Sequence, residues 1–249
     1  MASQPWRKGK VTRIEKENYN TKRFFIQVNE LESFDFKAGQ FVTFDLPIHE
    51  HINKRWRSYS IASWPDGTNV FELLIVLLEG GVGTNYLFNE VNVGSEISFR
   101  GPQGAFTLLE KIEKDLFLIC TGTGIAPFRS MLNYLSLHNI SHKNLYLIFG
   151  CRTKQDLLYY EEMKALEEKL ENFYYLPTLS REKWDGYSGY VHSLYEEICQ
   201  RNNEGIETTE QLKPASFYLC GWKAMIDDAR KKIAALGYDR KSIHLELYG

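Results

Sequence analysis

Hydrophobic positions recur with two different periods along this 249-residue chain. Between residues 10 and 110 the period is close to two. In "GQFVTFDL", Phe41, Thr43 and Asp45 alternate with Val42, Phe44 and Leu46, the pattern of a half-buried strand. "KVTRIEKENYNTKRFFIQV" predicts two strands joined by a turn at Asn18–Asn20. "VFELLIVLL" and "EISFR" predict two more, bounded by Gly and Pro. One short helix is expected at "TNYLFNEV", with Thr84 as its N-cap. Many strands and few helices imply an antiparallel barrel or sandwich.

From residue 115 onward the rhythm changes. The apolar runs "LFLICTG", "LYLIFGC", "FYYLPTLS", "SFYLCG" and "IHLELY" are separated by helical stretches. The clearest of these are "YYEEMKALEEKLE" and "WKAMIDDARKKIAALG", the second closed by Gly237 as a C′ glycine. Strand alternating with helix predicts a parallel sheet covered on both faces. The reading is therefore of two domains, an antiparallel β-barrel over 1–112 and an α/β parallel-sheet domain over 113–249.

Composition narrows the class. Hydrophobic residues make up 43% and charged residues 25%, as in globular proteins, and aromatics reach 14%. The longest apolar run, Leu73–Leu78, is far short of the roughly 20 residues of a membrane span, and reads as a buried strand. "MASQPWRKGK" lacks the apolar run of a secretory signal. Cys120, Cys151, Cys199 and Cys220 form no C-x-x-C pair, which argues against an iron–sulfur centre or zinc ribbon, whether built in or fused. Cys120, Cys151 and Cys220, at the ends of apolar runs, read as reduced, buried thiols of a cytoplasmic, non-membrane protein. A pI near 6.3 argues against nucleic acid. Residues 1–60 hold eleven Lys/Arg against seven Asp/Glu, and the remainder nineteen against twenty-five. That asymmetry is either solvated surface or a basic face for an acidic partner. A monomer is the default expectation.

Several stretches have phosphate-binding chemistry. "CTGTGIAPFRSML" closes a strand with Gly122 and Gly124 and opens a helix whose positive end would face a phosphate. A tight strand–helix turn without a ligand is the plainer alternative. "EGGVGTNYL" is a glycine-rich loop opening a helix, with Gly80, Gly81, Gly83 and Thr84 available to a pyrophosphate. "GPQGAF" reads as a structural turn. Ser180 and Arg181 in "LSRE", and Arg152 after "LIFG", are either phosphate-monoester ligands or surface charges at strand ends. "RSYSIAS", Arg57–Ser63, sets a guanidinium and a phenol beside hydroxyls on one strand.

Taken in order, these motifs resemble the ferredoxin–NADP reductase family, over nearly the whole chain. "FKAGQFV" looks like the strand before its flavin motif, and "RSYSIAS" matches the R-x-Y-S motif. "GVGTNYL" matches the helix start, "GPQGAF" the G-P-x-G turn, "TGTGIAP" the pyridine-nucleotide turn and "YLCG" the C-G pair beside the nicotinamide. The resemblance implies FAD and NADP as cofactors. It implies that Arg57 contacts the flavin diphosphate, that Tyr59 stacks on the isoalloxazine and that Ser60 bonds near the hydride-accepting nitrogen. Gly81, Gly83 and Thr84 would hold the pyrophosphate. Thr121, Gly122, Gly124 and Pro127 would shape the nucleotide turn, with Cys220 and Gly221 near the nicotinamide. "HLELYG" suggests Glu246 as a proton relay and Tyr248 as an aromatic lid, although Gly249 extends the chain by one residue beyond the family ending. Arg152, Ser180 and Arg181 would grip a 2′-phosphate, which favours NADPH over NADH. Tyr190, however, stands where some NADP-dependent members carry a further arginine.

The implied activity is electron transfer between NADPH and a one-electron carrier, a ferredoxin or flavodoxin of acidic character, through FAD. The rivals are an NAD(P)H:flavin reductase or oxygenase reductase component, a non-catalytic flavin-binding electron-transfer subunit, and a regulatory nucleotide-binding module.

Overall fold

A computed structural model describes residues 4–206 and 208–248. Among these, the chain forms two six-stranded sheets and five α-helices. It divides into two compact units, Met1–Leu108 with Ala126–Leu137, and Leu109–Ile125 with His138–Gly249.

The first unit contains β1 (Trp6–Lys16), β2 (Thr21–Gln27), β3 (Phe41–Asp45), β4 (Trp56–Ser60), β5 (Val70–Val76), α1 (Val82–Asn89) and β6 (Glu96–Gln103). Its sheet runs β4-β3-β6-β1-β2-β5 with antiparallel neighbours. A bridge between Ile61 and Leu73 brings the end of β4 to β5 and curls the sheet toward a barrel. The alternation in β3 places Val42 and Phe44 in a core with Phe24, Ile26, Phe71 and Phe99. Three local expectations change. The apolar run at Leu73 leaves the strand after Val76, and Leu78 is exposed. "GPQ" continues β6 instead of turning, because Phe41 of β3 still pairs with Gln103. The helix starts at Val82 with Gly81 as its N-cap, so Thr84 lies inside its first turn.

The second unit contains β7 (Asp115–Thr121), a single turn at Gly122–Gly124, β8 (Leu145–Cys151), α3 (Tyr160–Lys169), β9 (Phe173–Leu179), β10 (Tyr187–Ser188), α4 (Val191–Asn202), β11 (Ala215–Trp222), α5 (Lys223–Ala235) and β12 (Ile243–Tyr248); α2 (Ile125–Leu137), which follows that turn in the chain, belongs to the first unit from Ala126 onward. All its strands are parallel, in the order β10-β9-β8-β7-β11-β12. The chain steps outward from β7 through β8 and β9 to β10, then returns to the other side of β7. The direction of winding therefore reverses between β7 and β11, where an open α/β sheet leaves a crevice at its strand ends. Ile226, Ala229 and Ile233 of α5 join Val191, Leu194 and Ile198 of α4 in one core with Phe117, Ile148 and Phe217 of the sheet. Gly237 ends α5 with φ +92°, which its lack of Cβ permits. Its N–H bonds the Ala234 carbonyl and the Tyr238 N–H bonds that of Ile233, the paired bonds of a Schellman ending.

Candidate functional site

Within the first unit, β4 is paired on one side only over Trp56–Ser60, by β3. Its residues meet several elements. The Arg57 side chain lies along the first turn of α1: a Cβ on Gly83 would stand 3.0 Å from Arg57 Cγ and Nε. Glycine at that position is thus what lets the guanidinium reach the helix start. Arg57 Nη1 donates to the carbonyls of Lys54 (3.0 Å) and Trp56 (2.7 Å). Tyr59 packs its ring against Phe44 at 5.5 Å, and burial pushes its phenol well above the usual range, against the opposing pull of Arg57. Ser60 is buried, whereas Ser58 is exposed and bonds the Thr43 hydroxyl.

The loop before α1 has Gly80 at φ +70° with nothing near its Cβ position. Gly81 caps the helix through its backbone alone. The Thr84 hydroxyl accepts from Leu78 N–H and donates to the Gly81 carbonyl, both at 3.1 Å. Its proton is therefore committed to the loop. What this end offers an anion is the first-turn backbone N–H groups, which lack intrahelical acceptors, together with Arg57.

Sequence reasoning missed the group that holds this region together. Glu72 of β5 is buried, and its carboxylate takes Arg23 Nε at 2.6 Å and Nη2 at 3.1 Å. Arg129, also buried, donates through Nη1 to Glu72 Oε2 (3.0 Å) and to the Ala62 carbonyl (2.9 Å). Its guanidinium also lies 5.3 Å from the Trp64 ring. Ser63 accepts the Glu72 N–H at 3.0 Å. A signal existed: an acid inside "VFELLIVLL" and a base inside "IAPFRSML" are charges in apolar runs, which burial permits only when paired.

In the second unit, strand register assembles the site. Cys120 of β7, Cys220 of β11 and Glu246 of β12 occupy one row across three strands. Burial pushes the Cys220 thiol far up, Glu246 adds to that, and a hydrogen bond with Tyr248 opposes it. The Tyr248 hydroxyl also reaches the Thr123 carbonyl at 3.5 Å. The nucleotide turn is pressed onto β11, since a Cβ on Gly124 would collide with the Cys220 carbonyl. A Cβ on Gly221 would fall 2.5 Å from Thr121 Oγ1, a buried hydroxyl with no hydrogen-bond partner among the described residues. Gly122 has φ +54° and open space at its Cβ position. Pro127, in the first turn of α2, gives up an N–H that the helix does not need there. An orphaned hydroxyl, an uncovered glycine and a helix start at the reversal point fit a phosphate-bearing dinucleotide.

At the neighbouring strand ends, Arg181 N–H bonds the Arg152 carbonyl (2.9 Å), and the Ser180 hydroxyl bonds the Cys151 carbonyl (3.1 Å). Both arginines are exposed, with no ion pair among the described residues. Tyr190 is 72% exposed at the start of α4. Gly249 lies outside the described residues. The four cysteines are unpaired, with Cys151 only half-buried. Among the described residues no helix is long and apolar enough to cross a membrane, and no His/Cys/Asp/Glu cluster could hold a metal.

Two families of known proteins match the chain in turn. Residues 8–108 match the family described as an oxidoreductase FAD-binding domain, and 118–231 that of an oxidoreductase NAD-binding domain. The chain is similar to ferredoxin–NADP reductase B of Sorangium cellulosum, 35% identical over 87% of each chain. It is also similar to the anthranilate 1,2-dioxygenase electron transfer component of Acinetobacter baylyi, 33% identical over 79% of this chain and 53% of that one. Like the latter, several relatives are matched over only part of their length. Among solved structures, a ferredoxin NADP+ reductase from Neisseria gonorrhoeae with bound FAD and NADP superposes with a TM-score of 0.79 at 26% identity, covering 97% of this chain and 98% of that one. The Amycolatopsis cytochrome P450 reductase GcoB gives 0.84 at 26%, covering 99% and 71%. With its antiparallel flavin-binding unit, its parallel nucleotide-binding unit and these relatives, the chain belongs to the ferredoxin–NADP reductase family of flavoprotein oxidoreductases.

Proposed function

We propose that this protein is an NADPH-dependent reductase of a one-electron carrier, a ferredoxin or flavodoxin. FAD, when bound, supplies the exchange between two-electron hydride chemistry and single-electron transfer; the protein supplies binding, orientation and exclusion of water. Arg57 and the first-turn N–H groups at Gly83 and Thr84 hold the FAD diphosphate, behind the turn at Gly81. Tyr59 stacks on the flavin and Ser60 bonds its reactive edge. Thr121, Gly122, Gly124 and Pro127 form the nicotinamide-nucleotide turn. Cys220 and Gly221 orient the nicotinamide, Glu246 serves as proton relay, and Tyr248 serves as the aromatic lid. A cytoplasmic location fits the unpaired thiols.

The observation that carries the coenzyme choice is the Arg152–Arg181 pair. Two guanidiniums without acidic partners, set beside Ser180, suit a phosphate monoester. Arg181→Ala is expected to raise KM for NADPH by about tenfold or more, the scale of a lost charge-assisted hydrogen bond, while KM for NADH stays nearly unchanged. Equal loss for both coenzymes would remove the 2′-phosphate assignment. The anthranilate relative supports a second reading, an oxygenase reductase component. Reoxidation of the NADPH-bleached protein by a ferredoxin, a flavodoxin and free flavin in parallel separates the two.

A further inference from the structure

The roles proposed above make no use of the buried charges around Glu72. We infer that Glu72 and Arg129 are positioning residues for the flavin site, fixing the backbone that follows β4 and through it the placement of Tyr59 and Ser60. The inference rests on the assignment of Arg57, Tyr59 and Ser60 to FAD.

β4 has a pairing partner on one side only, so its ladder alone leaves its far end poorly fixed. Four polar groups of the residues just beyond it are held. Ile61 N–H bonds the Gln40 carbonyl at 2.9 Å, and Ala62 N–H the Glu72 carbonyl at 2.8 Å. The Ser63 hydroxyl accepts Glu72 N–H, and the Ala62 carbonyl accepts Arg129 Nη1. One nitrogen of Arg129 thus bonds both a backbone carbonyl of the flavin strand's extension and the carboxylate of the neighbouring strand. A planar guanidinium can hold both acceptors in one fixed geometry, which a lysine ammonium on its flexible stem does less well. Glu72 and Arg129 are only 3% and 4% exposed. Ion pairs buried to that degree add little net stability over apolar side chains of similar volume. What this pair provides is geometry.

The surrounding charges allow a clean test. Arg23 keeps Glu15 at 3.1 Å and Glu17 at 3.9 Å when Glu72 is removed. Removing Glu72 and Arg129 together therefore strands neither charge of the pair. The Glu72→Leu/Arg129→Met double variant is expected to fold with a melting temperature close to that of the parent protein when both are stripped of flavin. As holoprotein, it is expected to release FAD about tenfold faster or more, the size of one charge-assisted hydrogen bond, read as the rise of free-flavin fluorescence on dilution. Its bound-flavin absorption bands are expected to shift, with KM for NADPH unchanged. Arg129→Lys, which keeps the charge, is expected to fall between the two, and it carries the test by the same readouts if the double variant does not fold. A variant that retains FAD as the parent does, with an unshifted spectrum, overturns the inference. Tyr59→Ala is the control for the underlying assignment. If it leaves FAD retention untouched, that assignment fails; if it loosens FAD while the Glu72 and Arg129 variants do not, only the present inference fails.

Discussion

In the parallel sheet, Cys120, Cys220 and Glu246 stand in one row because strand register puts them there. On β4, the corresponding chemistry is arranged by side-chain contacts with other elements: Arg57 laid along α1, Tyr59 against Phe44, and the strand's extension clamped by Glu72 and Arg129. The first arrangement is tied to backbone ladders between neighbouring strands and yields little to single side-chain changes. The second sits on a strand paired on one side and depends on a few long-range polar contacts. Substitutions should therefore act differently in the two units, through backbone collision in one and side-chain displacement in the other.

The largest effect is expected where backbone meets backbone. Gly124→Ala would place a methyl against the Cys220 carbonyl, which has no rotamer to yield. Overpacking of this kind costs about 1–3 kcal/mol. The strain falls on the turn proposed to meet the nucleotide and on the strand end carrying Cys220. NADPH bleaching of the bound flavin is expected to drop by a hundredfold or so, with FAD still bound at parent levels. Stopped-flow reduction and the 450-nm flavin band, measured on one sample, check both halves of this expectation. Loss of FAD in step with NADPH would contradict the separation of the two regions.

A smaller and opposite pattern is expected at Gly83. An alanine methyl there meets the Arg57 side chain at 3.0 Å, and that side chain can move aside. Alanine is also the better helix residue by about 1 kcal/mol. Gly83→Ala should hold or raise the melting temperature while weakening FAD binding a few-fold, because Arg57 is pushed off the helix start. A stabilised variant with unchanged FAD affinity would show that Arg57 does not depend on this approach.

What could be read in advance follows the same line. Strand ends and glycines are local features, and "TGTG", "YLCG" and "GGVG" place the turns and the helix start from a few residues each. Partners far apart in sequence leave no local trace. Glu72 and Arg129 are separated by 57 positions, and the bond between them needs the fold to exist. Thr84 misleads because a threonine near a helix start usually caps it; here its hydroxyl turns back to the loop, and Gly81 takes the cap position. The pairing of the N-terminal charges also needs the fold. Arg7, Arg13, Arg23 and Arg55 of the basic N-terminal stretch are paired with Glu30, Glu15, Glu72 and Asp45, and Arg57 donates through Nη1 to two carbonyls. The excess that remains is in exposed lysines such as Lys8, Lys10 and Lys54. The two-residue β10 escapes notice because its pairing with β9 is too short to impose a period.

The smallest effect is expected on the helical side of the parallel sheet, where side-chain charge pairing is not what sets the site. His192 of α4 has Nδ1 2.9 Å from the Tyr195 hydroxyl and Nε2 3.3 Å from Asp228 on α5. Burial lowers its pKa below the ordinary histidine value; Asp228 and Glu196 oppose this and Lys232 adds to it. A histidine that binds its proton less readily when folded than when unfolded stabilises the fold above about pH 6.5, its unfolded value. That contribution is lost as pH falls through 6.5 toward the folded value, because the unfolded chain then takes up the proton first. Melting temperatures at pH 7.5 and 5.5 should therefore fall more for the parent protein than for His192→Asn, with FAD release and NADPH reduction alike in the two proteins at pH 7.5. A variant that also lost NADPH reduction would mean that the helix pair, and not strand register alone, sets the row of Cys220 and Glu246.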